Sequence, residues 1–129
     1  MDEILRTMAA SASGMSAQAA RLRLSSENIA NADTPGYRRK TVSFQETFAL
    51  GDVRAVRTGP VRLDEAELVK VYDPTNPLAG SDGSYLGSNV NLVLEIADAR
   101  EANRSYEANL RMFDQARQMA SSLLGLLRR

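Results

Sequence analysis

No cysteine, histidine or tryptophan occurs among the 129 residues of this chain, and each absence closes off a class of function. Without cysteine there is no disulfide and no thiolate metal site, although the compartment stays open because exported proteins can also lack cysteine. Without histidine the commonest general base and the commonest transition-metal ligand are missing. Neither charge is in excess, with 16 Lys+Arg against 16 Asp+Glu, so no net field draws the chain to nucleic acid or anionic lipid. No apolar run approaches the roughly 18 residues that span a bilayer. Met1-Asp2-Glu3 is acidic where a secretory leader would be basic, so no cleaved signal is expected. Aromatics are scarce, with three Phe and four Tyr in a chain that is 43% hydrophobic. Alanine and small polar residues fill the gap, which suits close helix packing better than a bulky globular interior. The length is that of one domain.

What the chain does have is a long heptad pattern at each end. Over about residues 3–30, Leu5, Ala12, Ala19 and Ser26 recur at one heptad position, and Met8, Met15, Leu22 and Ile29 at another. Spacing of three and four puts all eight on one seam of a helix. Between Thr7 and Ala20 there is no charge. Because an exposed helix face normally carries charge, this pattern predicts a helix with several neighbours rather than one. Helix resumes near Val90 and runs to about Leu127. Here Ile96, Asn103, Leu110, Arg117 and Leu124 share one position, and Ala99, Tyr106, Phe113, Ala120 and Leu127 the other. A second stripe of Met112, Ala116, Met119, Leu123 and Leu126 adjoins them. Asn103 and Arg117 read as polar insertions that fix register. At ~1.5 Å per residue the two helices span roughly 40 and 55 Å. The expected fold is mainly α: the terminal helices pair as a coiled-coil-like hairpin, with a short β-rich, irregular middle at one end.

Between the helices the chain changes regime. Asp33-Thr34-Pro35-Gly36-Tyr37 stops the first helix, because Pro35 has no N–H to donate and Gly36 suits the left-handed position of a type II turn. Asn28 and Asn31, near the helix end, suit a cap or a left-handed residue there. Arg38–Gln45, Val53–Arg57, Val61–Leu63 and Leu68–Tyr72 read as short strands. Residues 73–89 are dense in turn formers and read as irregular. The organisation is therefore 1–34 (helix and turn), 35–89 (middle) and 90–129 (helix). In a free monomer, helices without partners are expected to be marginal and the middle mobile.

Chemical motifs are weak. Asp64-Glu65-Ala66-Glu67 lacks the ligand spacing of a calcium loop. Arg38-Arg39-Lys40 and Arg128-Arg129 are too short for a nucleic-acid patch. There is no glycine-rich phosphate loop. No enzyme activity, cofactor, metal, nucleic acid or small-molecule substrate is expected.

The run Asn28-Ile-Ala-Asn-Ala-Asp-Thr-Pro-Gly-Tyr-Arg38 resembles the amino-terminal motif of the bacterial flagellar rod and hook proteins. Val90 through Glu95, and Ala102-Asn-Arg-Ser-Tyr-Glu-Ala-Asn109, resemble their carboxy-terminal motif. Val71-Tyr-Asp-Pro74, Pro77-Leu-Ala79 and Asp82-Gly-Ser-Tyr85 are similar to the segment that marks the C-type proximal-rod family. The resemblance covers nearly the whole chain. It implies a structural subunit of the proximal rod that passes through the flagellar type III export apparatus. Assembly would be helical and periplasmic, with copies of itself, other rod proteins, and the basal-body membrane ring or export gate, to transmit torque. Its assembly residues would include Leu5, Met8, Ala12, Met15, Ala19, Leu22, Ile29, Ile96, Tyr106, Leu110, Phe113, Met119, Leu123 and Leu127. Asn28, Asn31, Thr34, Pro35, Gly36, Tyr37, Tyr106 and Asn109 would carry the family motifs. The helical termini alone also fit a coiled-coil adaptor or a secreted needle-type protein.

Overall fold

Two helices form an antiparallel hairpin in the computed structural model, which describes residues 2–49 and 51–128. Met1 and Arg129, the outermost residues of the predicted terminal segments, lie outside the described residues. Helix α1 runs over Asp2–Ala30 with Asp2 and Glu3 in its first turn, where the positive end of the helix dipole favours them. Helix α2 runs over Leu92–Leu127. It begins two residues later than the periodicity predicts because Asn91 caps it, its side chain accepting from the amides of Val93 at 3.1 Å and Leu94 at 3.3 Å.

The expected pairing is present, but the paired seam lies one residue away from the apolar heptads. Leu5, Ala12, Ala19 and Ser26 are exposed, while Ile4, Ser11, Ala17, Leu24 and Ser25 are buried. On α2 the buried positions are Glu95, Ala102 and Ala116, not Ile96, Asn103, Leu110 or Leu124. Sterics explain the shift. Small residues let two backbones approach closely, and at Gly14 a β-carbon would stand 2.8 Å from the Asn109 side-chain amide. Asn109 is held there by donating to its own helix at Ser105 O, 3.0 Å away. Register is therefore set by this notch; Asn103 and Arg117, both exposed, take no part in it. The core is correspondingly thin: of the seven buried apolar residues among those described, only Ile4 and Leu24 exceed valine in size. Gln18 Oε1 is buried without a hydrogen-bond partner among the described residues, so the seam favours shape over polar satisfaction.

Among the described residues, six short strands connect the helices as three separate antiparallel pairs. The predicted strand over 38–45 is split. β1 (Lys40–Thr41) pairs with β4 (Arg62–Leu63), while β2 (Phe44–Ala49) pairs with β3 (Val53–Thr58), from Phe44↔Thr58 to Ala49↔Val53. β5 (Lys70–Tyr72) pairs with β6 (Ser84–Leu86), so residues 73–89 are not wholly irregular. Turns at Asp73–Asn76, Asn76–Ala79 and Gly80–Gly83 bring the chain back on itself, and Lys70 Nζ meets Asp82 Oδ2 at 2.7 Å across the pair.

The middle does not all sit at one end of the hairpin. The β2–β3 ribbon lies along the amino-terminal half of α1 and buries Val53 and Ala55 there. The Val56 amide donates to Ser13 Oγ at 3.1 Å, and Arg6 pairs with Asp52 at 3.1 Å. Uncharged small residues between Thr7 and Ala20 thus serve two neighbours, α2 and this ribbon.

The notch yields a direct test. Gly14→Val lowers the unfolding free energy in urea by about 1–3 kcal/mol, the usual range for overpacking. In an Asn109→Ala background the penalty shrinks, because the opposing amide is gone. An undiminished penalty in that background would show that the two residues do not meet.

Candidate functional site

The most constrained part of the molecule is the joint where α1 ends, the chain turns and α2 begins. At its centre Asn28 is 0% exposed and Glu95 1%. Asn28 Nδ2 donates to Glu95 Oε1 and to Lys40 O, both at 2.9 Å. Its Oδ1 accepts from Lys40 N at 2.9 Å and from the Tyr37 hydroxyl at 2.8 Å. All of the amide's ordinary hydrogen-bonding capacity is used. In effect the side chain of α1 bonds to β1 as a neighbouring strand would, through both backbone groups of Lys40.

Glu95 holds the other side. Its Oε2 accepts from Arg39 Nε at 2.7 Å, and Arg39 Nη2 reaches Asp98 Oδ2 at 3.0 Å. Burial would by itself lower the Arg39 pKa, but the hydrogen bond and charge of Glu95, with Asp98 and Asp64 behind it, raise it. Burial, then the negative charge of Glu27, raises the Tyr37 pKa, partly countered by Lys40. Its phenol therefore remains a donor to Asn28. Lys40 is also raised, first by its hydrogen bond to Glu27. Asn89 completes the joint: its Oδ1 accepts from Arg39 N at 2.6 Å, and its Nδ2 donates to Asp64 O and Ala66 O, both at 3.0 Å.

The turn is docked onto this joint. Tyr37 N donates to Thr34 O at 3.1 Å, and Gly36 has φ 74°, a conformation most side chains avoid. The Gly36 amide donates to Leu86 O and Gly87 O at 3.2 and 3.0 Å, which binds the turn to β6. Asn31, not Asn28, serves the helix end, with Nδ2 on Glu27 O at 2.9 Å and Oδ1 accepting from Thr34 Oγ1 at 3.2 Å. Thr34 and Pro35 are exposed. The expectation of a cap at Asn28 is thus corrected, since its neighbours are a strand and a carboxylate.

The heptad residues have a different fate. Met8, Met15, Leu22, Ile29, Tyr106 and Phe113 are half-buried along the edges of the hairpin. Leu5, Ala12, Ala19, Ile96, Leu110, Met119, Leu123 and Leu127 are exposed. Asn109 is half-buried at the Gly14 notch. Sequence reading missed Glu95, Arg39, Asp98, Lys40 and Asn89. The available signal was Glu95 itself, a lone acid within Leu92-Val93-Leu94-Glu95-Ile96, and Arg39, set aside above as part of a short basic run.

Chemically this joint is a clamp and not a reaction centre, because every strong donor in it faces an acceptor. No group of side chains among the described residues is arranged to hold a metal ion. No helix among them is long and apolar enough to cross a membrane.

Two family models match the chain. Residues 8–38 match the flagella basal body rod protein family, and residues 82–126 the carboxy-terminal family of flagellar basal body rod FlgEFG proteins. Flagellar basal-body rod protein FlgC of Agrobacterium fabrum is 43% identical over 99% of this chain and 98% of its own length. This chain belongs to the flagellar basal-body rod protein family. The FlgC proteins of Salmonella typhimurium (35% identical, 88% of this chain and 90% of theirs) and Bacillus subtilis (35%, 78% and 82%) agree. The rod protein is a structural subunit of the flagellar basal body and not an enzyme, as its relatives are. The two matched segments contain the opposite halves of the joint, Asn28 and Tyr37 in one, Asn89 and Glu95 in the other.

The clamp is tested by unfolding. Glu95→Gln places a donor against Arg39 or Asn28 and lowers the unfolding free energy by about 2–4 kcal/mol, as loss of one partner of a buried pair does. Asn28→Ala lowers it by about 1–3 kcal/mol, by stranding buried partners. The double variant falls short of the sum, because both removals break the same network. Strict additivity would show that the two side chains act separately.

Proposed function

We propose that the rod subunit assembles helically, with copies of itself and with other axial proteins, through the apolar strips its own hairpin leaves uncovered. The observation that carries this reading is the one-residue offset between the apolar heptads and the paired seam. Leu5, Ala12 and Ala19 on α1, and Ile96, Leu110, Met119, Leu123 and Leu127 on α2, face outward. Large apolar side chains left exposed along a helix mark a place for partners. Small residues on α1 admit a neighbouring helix closely, and the larger ones on α2 supply apolar area.

In this reading residues 1–34 and 90–129 form the axial helical unit and 35–89 the middle that spaces it from its neighbours. Asn28, Asn31, Thr34, Pro35, Gly36 and Tyr37 hold the angle between the two. The subunit belongs to the proximal rod, next to the membrane ring or export gate, where many parallel helix contacts transmit torque. The absence of cysteine and the thin core suit a chain that crosses the flagellar type III export apparatus unfolded and orders in the periplasm.

Ala12→Phe and Ala19→Phe separate assembly from folding. Both sites are exposed in the monomer, so unfolding free energies stay within about 0.5 kcal/mol of the parent. Secretion also stays normal, while basal-body yield and swimming are lost. Wild-type swimming by both variants would show that this face meets solvent in the rod.

A further inference from the structure

We propose that copies of this chain pair edge to edge in the rod, β2 of one copy adding antiparallel to β5 of the next. This rests on the reading that copies assemble together, and it names a second surface, outside the helices. Both strands have an open edge, and the ladder parity shows which residues line it. In the β2–β3 ribbon Gly59 N donates to Ser43 O, so the bonded pairs are Gln45–Arg57, Thr47–Ala55 and Ala49–Val53. Phe44, Glu46 and Phe48 therefore turn their backbone groups away from β3. On the other side of the ribbon Val56 N, which also points outward, is taken by Ser13 Oγ, so α1 shelters the β3 edge while the β2 edge stays open. In β5–β6, Gly87 N donates to Val69 O and Asp73 N to Gly83 O. Val71–Tyr85 is then a bonded pair, and Lys70 and Tyr72 point outward. Leu68, two residues before Lys70, continues that row. Among the described residues, no group outside the two ribbons bonds to the backbone of these six.

The side chains choose the occupant. β2 presents Phe44, Glu46 and Phe48, and the β5 edge presents Leu68, Lys70 and Tyr72. With Glu46 opposite Lys70, antiparallel pairing sets Phe44 opposite Tyr72 and Phe48 opposite Leu68, with both backbone bonds available at each pair. Phe48 and Tyr72, 62% and 73% exposed in the single chain, gain an apolar neighbour. Like edges do not fit in this way. β2 on β2 sets Glu46 against Glu46, and β5 on β5 sets Lys70 against Lys70, which is unfavourable. The charge that guards each edge against its own kind thus attracts the other edge. Glu46 lies 3.4 Å from Arg54, and Lys70 lies 2.7 Å from Asp82. Both are exposed pairs that hold their ions weakly.

The faces match as well. Val53 and Ala55 turn towards α1, and Val71 lines a groove with Ala32 and Val90. On each ribbon the alternate residues, Phe44, Glu46 and Phe48 or Lys70 and Tyr72, therefore lie on the outward face. Each copy carries both edges, so the contact is head to tail and propagates instead of closing on itself. That is the symmetry a helical assembly requires.

Because the chain has no cysteine, introduced cysteines report the pairing directly. Bonded antiparallel neighbours bring their Cα atoms to about 5.5 Å, within disulfide reach. Basal bodies are isolated from cells whose rod protein carries Phe48→Cys and Leu68→Cys together. Mild oxidation is expected to give dimers and higher multimers, and either substitution alone to give monomer. Glu46→Lys and Lys70→Glu each lower basal-body yield at least roughly fivefold with normal secretion, by setting like charges opposite. The two together restore the yield. Monomer alone from oxidised, intact basal bodies would overturn the strand pairing and leave assembly through the helices standing. Dimers from either single cysteine variant, or a charge swap no better than its parts, would also overturn it.

Discussion

The hydrogen bond between Asn28 and Glu95 is the interaction on which the other features rest. It joins the last turns of α1 to the first turn of α2 inside the protein, where an unpaired carboxylate is costly. Arg39 neutralises the carboxylate, and the backbone of Lys40 uses the rest of the amide. One side-chain pair thereby fixes the end of a helix, the direction of the chain after the turn, and the position of the returning helix. A hairpin whose seam is mostly serine and alanine gains little from apolar burial, since that scales with area. Its stability is consequently concentrated at the joint and at a few larger residues such as Leu24 and Ile4.

That distribution explains the surface. If the apolar heptads had been spent on the internal seam, the hairpin would be self-sufficient and its outside polar. Instead the close approach at Gly14 and Asn109 rotates both helices, so small and polar residues meet inside while Leu5, Ile96 and Leu110 remain outside. A specific steric fit sets the register and an apolar exterior awaits neighbours. This division of labour suits a rod subunit, whose fold must be definite before assembly and whose stiffness comes from many shared contacts afterwards.

The helices, the turn and the strands at Val53–Thr58 and Lys70–Tyr72 were legible in the sequence because each has a local cause: period, proline, alternation. The seam was not. Heptad reading assigns the most apolar stripe to the nearest partner, and here the steric fit of Gly14 to Asn109 outweighed that assignment. β6 was hidden because Ser84-Tyr85-Leu86 becomes a strand only once turns from Asp73 to Gly83 return it to β5. The joint was half visible. Asn28 and Tyr37 stand in a recognisable motif, but the Asn28 partner Glu95 is identified only by a contact that spans 67 residues of sequence, and Arg39 by its own contact with Glu95 across 56. The ribbon along α1 was missed because nothing local announces that Val53 and Ala55 pack against a distant helix.

Native-state hydrogen exchange along the two helices tests the central claim most directly. If the joint clamps the hairpin, amide protection in the monomer is greatest over residues 24–30 and 95–102 and falls steadily towards the open end, residues 2–10 and 115–128. Uniform protection along both helices, or protection greatest at the open end, would show that the helices are held by their length and not by Asn28 and Glu95.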